Sequence, residues 1–451
     1  MMYQALQERA AAGKPIRVAL IGAGKFATMY LHQARRTPGV HVCAVCDLDE
    51  QRARDALTLA GWDAKQLLAN DLSAAVSNGA TWITDDARSV IHEPVDVAIE
   101  ATGDPLVGVE HALACFEQGV HVVMVNVEAD ALVGPYLARA AHSAGVVYTL
   151  AYGDQPALIA ELVDWARVCG FQIVCAGKGT KYLPRYHQST PDTVWDFYGL
   201  TAAEAQRGGM NSTMFNSFLD GTKSAIEMAA VANACELSPA ESGLQFPPCS
   251  TDELPRLLKP RSEGGLLDAA GTVEVISSLT RDGAELNNDL RWGVYVTFAG
   301  DSDYAQRCFR EYGLVTDAEG RYSALYRPSH LIGLELGMSV ASAVLRNEAI
   351  GTARCFNADV VAVAKRPLVA GEVLDGEGGY TVWGRLQPAA LSLQHGALPL
   401  GLCRGAKLRR AIAEGEVVQR ADVIAEESSR AWRVRGDMEA DSGYSSVVSH
   451  K

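Results

Sequence analysis

The sequence lacks three things that would each have pointed elsewhere. It has no apolar run long enough to span a bilayer, and it has charges within Met1–Ala10, where a secretory signal would need an apolar core. The expected location is therefore the cytoplasm, with no membrane partner. It is also short of basic residues: 40 Lys and Arg stand against 54 Asp and Glu, a net charge of -14. That balance argues against nucleic acid as a partner, and it means that an anionic substrate would need a local basic patch. Finally, it lacks a disulfide framework. The ten cysteines are scattered through apolar segments of a large chain, where they act as small buried hydrophobes. Cys43 and Cys46 form a Cys-x-x-Cys on an expected strand, whose period of two sends them to opposite faces.

What is present begins at residue 16. Ile16-Arg-Val-Ala-Leu-Ile-Gly22-Ala-Gly24-Lys-Phe-Ala27 is an apolar run closing in a glycine turn, and a second apolar run, Val40 to Cys46, stops at Asp47. Gly22 permits the sharp strand-to-helix turn, Gly24 allows backbone to approach a pyrophosphate, and Ala27 allows close helix–strand packing. The helix that follows aims unsatisfied N–H groups and its positive end at phosphates. Asp47 lies 25 residues after Gly22, near the separation at which a carboxylate meets a ribose 2′-hydroxyl. This layout implies NAD or NADP, held by Gly22, Gly24, Lys25, Phe26, Ala27 and Asp47, and further along by Ala101, Thr102, Gly103 and Asn126.

At 451 residues and 48% hydrophobic content, the chain is long enough for two or three domains. Strands and helices alternate from residue 16 to about 176, which indicates an α/β fold with a doubly wound parallel sheet. The expected order is strand Asp96–Glu100, helix Gly108–Gln118, strand Val120–Val125, helix Leu132–Ala144, strand Val146–Leu150, helix Pro156–Val168 and strand Phe171–Ala176. From Tyr182 to Pro260 the rhythm breaks, and antiparallel-looking strands follow at Trp292–Phe298 and Tyr322–Tyr326. Leu368-Val-Ala-Gly-Glu-Val-Leu374 is then echoed by Ile412-Ala-Glu-Gly-Glu-Val-Val418, a duplication that suggests two related β-turn-β units. We expect a dinucleotide-binding domain over 1–155, an α+β substrate and dimerisation domain over 156–355, a small β-rich domain over 356–435 and a disordered tail over 436–451. Elements of the first domain are expected to continue to about 180 or to return after 330.

Several clusters could carry chemistry. Asn126, Glu128 and Asp130 end an expected parallel strand, where they would face a ligand; equally, the two carboxylates could complement the dipole of the next helix. Lys178 stands between Gly177 and Gly179, which would let a ligand approach the backbone, and it could clamp an anion or donate a proton. Lys181, Arg185 and His187 extend a basic cluster suited to phosphate or carboxylate. Along a helix starting near Ser212, Phe215, Phe218, Leu219 and Ile226 share one face, and Asn216, Asp220, Lys223 and Glu227 form a polar stripe beside it. That stripe is either a site wall with Lys223 as acid/base, or ordinary surface ion pairs contributing about 0.2–0.5 kcal/mol each. Arg327 could clamp an anion bidentately, and His330 could assist proton transfer.

Taken together, Ile21-Gly-Ala-Gly24, Glu100-Ala-Thr-Gly-Asp-Pro105, Val125-Asn-Val-Glu-Ala-Asp130, Tyr152-Gly-Asp154, Ala176-Gly-Lys-Gly179, Phe218-Leu-Asp-Gly-Thr-Lys223 and Tyr326-Arg-Pro-Ser-His330 resemble the SAF-domain NAD(P)-dependent oxidoreductases related to homoserine dehydrogenase. This group includes the 1-deoxy-D-xylulose 5-phosphate reductoisomerase-like enzymes. The stretch Ala364–Leu374 looks like the SAF module, a small β-clip. The resemblance implies Lys178, Asp220, Lys223 and Glu128 as catalytic residues, and Asn126, Lys181, Glu227, Arg327 and His330 as substrate contacts. Homoserine dehydrogenases usually have Ala-Asn-Lys where this chain has Val125-Asn126-Val127-Glu128. That departure favours a polyhydroxylated substrate, with Mg²⁺ or Mn²⁺ shared between Glu128 and Asp130.

The resemblance thus implies a reductoisomerase-like enzyme acting on a phosphorylated ketose. One alternative is a plain dehydrogenase of a polyol or a four- to five-carbon sugar acid, and another is a nucleotide-sensing or scaffold protein. A homodimer or homotetramer is expected.

Overall fold

The computed structural model describes residues 1–63, 69–92, 94–425 and 429–441. The chain divides into two compact units, residues 1–158 with 330–353, and residues 159–329 with 354–451.

The first unit is built on six parallel strands: β1 (Ile16–Ile21), β2 (Val40–Cys46), β3 (Trp82–Thr84), β4 (Val97–Glu100), β5 (His121–Met124) and β6 (Tyr148–Leu150). Their order, β3-β2-β1-β4-β5-β6, is that of a doubly wound dinucleotide-binding sheet. With helices on both faces, both sides of each strand are buried, which is why the strands read as continuous apolar runs. Ile16, Val18 and Leu20 pack with Ala27, Tyr30 and Leu31 of the helix Lys25–Ala34. The segment 330–353 returns to this unit, placing Leu336, Val340 and Ala341 in the same core. Cys43 and Cys46 are both buried, and burial pushes each thiol up to about 12.

The second unit centres on a four-stranded mixed sheet, β10-β9-β7-β8, of β7 (Gln172–Thr180), β8 (Thr272–Ser277), β9 (Val294–Ala299) and β10 (Tyr322–Arg327). β7 runs parallel to β8 and antiparallel to β9. It continues past the expected end at Ala176, so Lys178 lies within the strand rather than in a loop after it.

The expected single helix after Ser212 is two helices, Ser212–Leu219 and Thr222–Cys235. Gly221 separates them at φ 88°, a left-handed conformation that glycine adopts without steric cost. The polar stripe from Asn216 to Glu227 is therefore broken at Asp220. Asn216 faces inward, bonded to Ser189 and to the Gly378 carbonyl, while Lys223 and Glu227 belong to the second helix.

The remainder of this unit is a β module of β11 (Ala358–Ala364), β12 (Val382–Pro388), β13 (Lys407–Leu408) and β14 (Val423–Ile424), in two antiparallel pairs. The duplication is real in three dimensions. Leu368 and Ile412 exchange both backbone hydrogen bonds, at 2.9 and 3.0 Å. Each repeat turns at a left-handed glycine, Gly371 or Gly415, and closes with an arginine–glutamate pair, Arg366–Glu372 at 2.6 Å or Arg410–Glu416 at 2.7 Å. The helix Thr222–Cys235 is bonded into this module: Thr222 Oγ1 accepts from the Gly384 N–H at 2.8 Å, and Asn233 Oδ1 accepts from the Asn357 and Ala358 N–H groups. The tail expected from Gly436 is instead part of a helix, Arg430–Asp441, whose fully buried Arg435 clamps Asp359 at 2.6 and 3.0 Å. Residues 442–451 lie outside the described set.

Candidate active site

In the first unit, the glycine turn fits an anionic dinucleotide. Gly22 has φ 98°, and a Cβ there would lie 2.6 Å from the Ala101 carbonyl oxygen, so only glycine is accommodated. At Gly24 a Cβ would meet nothing within 4 Å: the space above the turn is open. The helix Lys25–Ala34 begins there without a side-chain cap, leaving N–H groups aimed at that space. Lys25 is exposed in its first turn, and Ala27 is fully buried as close packing demands. Phe26 is half-buried, and a Cβ on Gly333 of the returning segment would lie 2.8 Å from its carbonyl oxygen.

Asp47 is oriented differently from the expectation. Its two oxygens accept the Ala23 N–H at 2.8 Å and the Asp49 N–H at 3.0 Å, so it braces the glycine turn, and the Arg52 guanidinium stands 3.6 Å away. Asn126 is likewise a brace. It caps the helix Val127–Ala144 by accepting from the Ala129 N–H, and donates to the Asp104 carbonyl at 2.8 Å. Thr102 and Gly103 are exposed beyond β4 and Ala101 is half-buried, as a cofactor-facing loop requires.

Glu100, quoted above only within a motif and not as a cofactor contact, is 1% exposed at the end of β4, accepts from the Thr102 hydroxyl at 2.6 Å and pairs with His111 at 3.2 Å. The available signal was an acid closing an otherwise apolar strand directly before the turn.

The expected metal pair is not assembled. β5 ends at Met124, so Glu128 and Asp130 sit in the first turn of a helix, with Glu128 half-buried. Asp130 turns inward, accepts from the Tyr148 hydroxyl at 2.8 Å, and is pushed up to about 6 by burial. Among the described residues no three His, Cys, Asp or Glu side chains gather to hold a metal ion.

In the second unit, Lys178 of β7 and Glu227 of the helix Thr222–Cys235 form a buried ion pair. Lys223 lies one turn before Glu227 and is half-buried. The glycines flanking Lys178 serve neighbouring backbone rather than a ligand: a Cβ on Gly177 would fall 1.8 Å from the Glu274 carbonyl oxygen, and one on Gly179 would fall 1.9 Å from that of Leu290.

Asp220 does not pair with Lys223 along a helix. Its carboxylate takes the Thr222 N–H at 2.9 Å and forms an ion pair of 2.7 Å with Lys365, the residue after β11. Lys365 also donates to the Ser189 and Gly379 carbonyls, both at 2.8 Å. The Asp220 carbonyl accepts from His187 Nδ1, which must therefore carry the proton; Nε2 then accepts from the Tyr182 hydroxyl at 2.8 Å. Burial pushes His187 down from its ordinary value, and its ring stacks on Trp383 at 3.8 Å. A cavity of about 270 Å³ opens beside His187, Lys365 and Trp383, with Arg185 and Glu414 on its walls.

Lys181 donates to the Phe197 carbonyl at 2.6 Å. Arg327 ends β10 in this unit, whereas His330 begins the segment belonging to the first, so the contiguous motif spans the division of the chain.

Residues 16–124 match a family described as "Oxidoreductase family, NAD-binding Rossmann fold" (GFO/IDH/MocA). Residues 153–336 match "Oxidoreductase DRL, catalytic domain". In class, the matched segments are similar to an NAD-binding Rossmann domain followed by an oxidoreductase catalytic domain, each match covering less than half of the chain. Neither description names homoserine dehydrogenase, a SAF module or a reductoisomerase, and the β module lies outside both ranges.

No curated protein sequence matches the chain. Among solved structures, a probable dehydrogenase from Thermotoga maritima is similar at 16% identity and TM-score 0.28, covering 40% of this chain and 53% of that one. A myo-inositol dehydrogenase from Lactobacillus casei, in complex with NAD(H) and myo-inositol, is similar at 15% identity and TM-score 0.27, covering 40% and 50%. An Agrobacterium radiobacter oxidoreductase, in complex with NAD⁺, L-tartaric acid and magnesium, is similar at 13% identity and TM-score 0.27, covering 45% and 54%. The chain spans about half the length of each of these structures.

Proposed function

We propose that the protein is an NAD(P)-dependent oxidoreductase that interconverts an alcohol and a carbonyl on a small polyhydroxylated substrate, of the polyol or sugar-acid class. The observation that carries this reading is the uncapped helix start at Gly24, with open space above it, in a segment matched as NAD-binding. The nicotinamide ring, when bound, supplies or takes up the hydride. The chain's own residues supply the proton chemistry: Lys223 gives a proton to the carbonyl oxygen during reduction and takes it from the hydroxyl during oxidation. Lys178, held by Glu227, fixes the strand-to-helix geometry that carries Lys223.

Rearrangement before reduction, as in the reductoisomerase-like enzymes, is the second reading. It calls for a divalent cation, and the inward turn of Asp130 removes one of the two carboxylates assigned to it. We read the β module as SAF-like on the strength of its duplicated, glycine-hinged turn.

The deciding experiment titrates the purified chain with NADH and NADPH, then follows nicotinamide absorbance over a panel of polyols, sugar acids and phosphorylated ketoses, with and without Mg²⁺. Saturable dinucleotide binding with metal-independent turnover of a polyol or sugar acid is the expected result. Absence of any dinucleotide binding would refute the enzymatic reading. Turnover of a phosphorylated ketose only with Mg²⁺ would favour the second.

A further inference from the structure

We propose that Lys181, Arg185 and Arg291 form a recognition site for an anionic group, a phosphate monoester or a carboxylate, on a small ligand. The proposal rests on the reading above in so far as that ligand is the substrate.

Backbone geometry brings the site together. Gly179 is the residue at which the Leu290–Gly293 segment crosses β7: a Cβ there would lie 1.9 Å from the Leu290 carbonyl oxygen and 3.0 Å from the Arg291 nitrogen, and the Gly179 N–H donates to the Gly293 carbonyl at 3.1 Å. Any side chain at 179 would force the two segments apart. Without one, Arg291 and Lys181, two residues further along, reach the same end of the sheet, close enough for the two positive charges to act on each other.

Aromatic faces hold the three cations. Lys181 Nζ sits 5.7 Å from the centre of the Tyr198 ring and donates to the Phe197 carbonyl at 2.6 Å. Phe197 packs on Tyr186 at 5.0 Å, and the Arg185 guanidinium lies over Tyr186 at 5.9 Å. The Arg291 guanidinium lies over Trp292 at 4.8 Å. A ring face takes the flat side of a guanidinium and leaves its N–H edge available for bidentate bonding to a planar or tetrahedral anion. Tyr186, Phe197 and Tyr198 are in turn anchored on a satellite core of Leu183, Val194, Trp195 and Leu219, so Lys181 and Arg185 stand on a packed platform, while Trp292 under Arg291 is exposed.

Lys259 has Asp317, Arg410 has Asp422 and Arg435 has Asp359, whereas among the described residues no carboxylate forms an ion pair with Lys181, Arg185 or Arg291. Glu285 is the carboxylate whose field reaches Lys181, and it makes no ion pair with it. Burial and Arg291 both push the Lys181 amine down from its ordinary value, in a chain whose net charge is -14. An ordinary solvated basic face would leave its lysine exposed; this one is half-buried against the Tyr198 ring beside a like charge. An anion seated among the three would relieve both unfavourable effects at once.

The test uses the full chain with NADPH or NADH at saturation, so that the glycine turn is filled, and titrates inorganic phosphate and, separately, succinate by calorimetry. Wild type should bind at least one of them. Arg185→Ala, Arg291→Ala and Lys181→Met should each weaken that binding by roughly tenfold, with melting temperature and dinucleotide affinity unchanged. Phosphate alone would identify a phosphate-monoester ligand, succinate alone a carboxylate ligand, and either supports the site. No saturable binding of either anion, or binding that all three variants retain, would overturn it. Failure of the dinucleotide to bind refutes the proposed function by itself. The variant series still reads the anion site in that case, because phosphate caught at the glycine turn would not respond to Arg291.

Discussion

Asp220 and Lys365 are joined by an ion pair of 2.7 Å with both side chains buried, which ties the helix carrying Lys223 to the β module. Removing one partner leaves the other charge uncompensated in the interior. Lys365→Met is therefore expected to destabilise the protein by about 3–5 kcal/mol, read by chemical denaturation. The double variant Lys365→Met, Asp220→Asn should recover part of that loss. A double variant as unstable as the sum of its two single variants would show that the pair is not coupled.

Gly22 and Gly24 separate folding from binding. Gly22→Ala places a Cβ against the Ala101 carbonyl in a left-handed conformation, so both melting temperature and dinucleotide affinity should fall. Gly24→Ala meets open space and has an ordinary backbone, so melting should be unchanged while NADH and NADPH binding weakens by tenfold or more. Unchanged binding in Gly24→Ala would mean that the diphosphate lies elsewhere.

The second unit should lose stability as pH rises from about 4.5 towards neutrality. Burial pushes the Glu274 carboxyl from an ordinary 4.5 up to about 7, against the pull of N–H groups from Gln245, Phe246 and Val275. Because the folded state holds this proton at a pH where the unfolded chain has released it, stability falls with rising pH between about 4.5 and 7 and is greatest below that window. Asp130, pushed up to about 6, adds the same sign in the first unit. Melting curves across this range should show the slope, and Glu274→Gln should make it shallower.

Lys223→Ala is expected to lower turnover by about 10²–10⁴-fold while leaving dinucleotide affinity intact. Glu227→Gln, which leaves Lys178 without its counter-charge, should lower both stability and turnover. Dinucleotide titration, steady-state rates and denaturation measured on the same samples distinguish the two effects.

Arg52 bears on the choice of dinucleotide. Both Asp47 oxygens already accept backbone N–H groups, and the exposed Arg52 guanidinium lies 3.6 Å away, placed to meet a 2′-phosphate. NADPH should bind more tightly than NADH, and Arg52→Ala should reduce that preference by about tenfold. Equal affinities in the wild type would return Asp47 to the ribose.

The first unit was legible because its information is local. Apolar runs buried on both faces, the turn at Gly22 and the small Ala27 each follow from short-range constraints. The cluster in the second unit was only half legible. Asp220-Gly221 lies inside an apolar-periodic stretch that reads as one helix, and the dipeptide alone marked the break. The partner of Asp220 comes from beyond β11, for which no spacing rule exists. Gly177 and Gly179 looked like ligand-facing glycines because a sequence cannot tell approaching substrate from approaching backbone. Glu128 and Asp130 were the reverse case, since acids at a helix start suit the dipole and need no further role.

The paired turns at Gly371 and Gly415 couple the two halves of the β module mechanically. Because the two arms clasp each other through the backbone of Leu368 and Ile412, a change that loosens one hinge is transmitted to the other. Both arms reach the same cavity: Lys365, at the start of the first, pairs with Asp220, and Glu414 and Gly415 of the second stand on its wall.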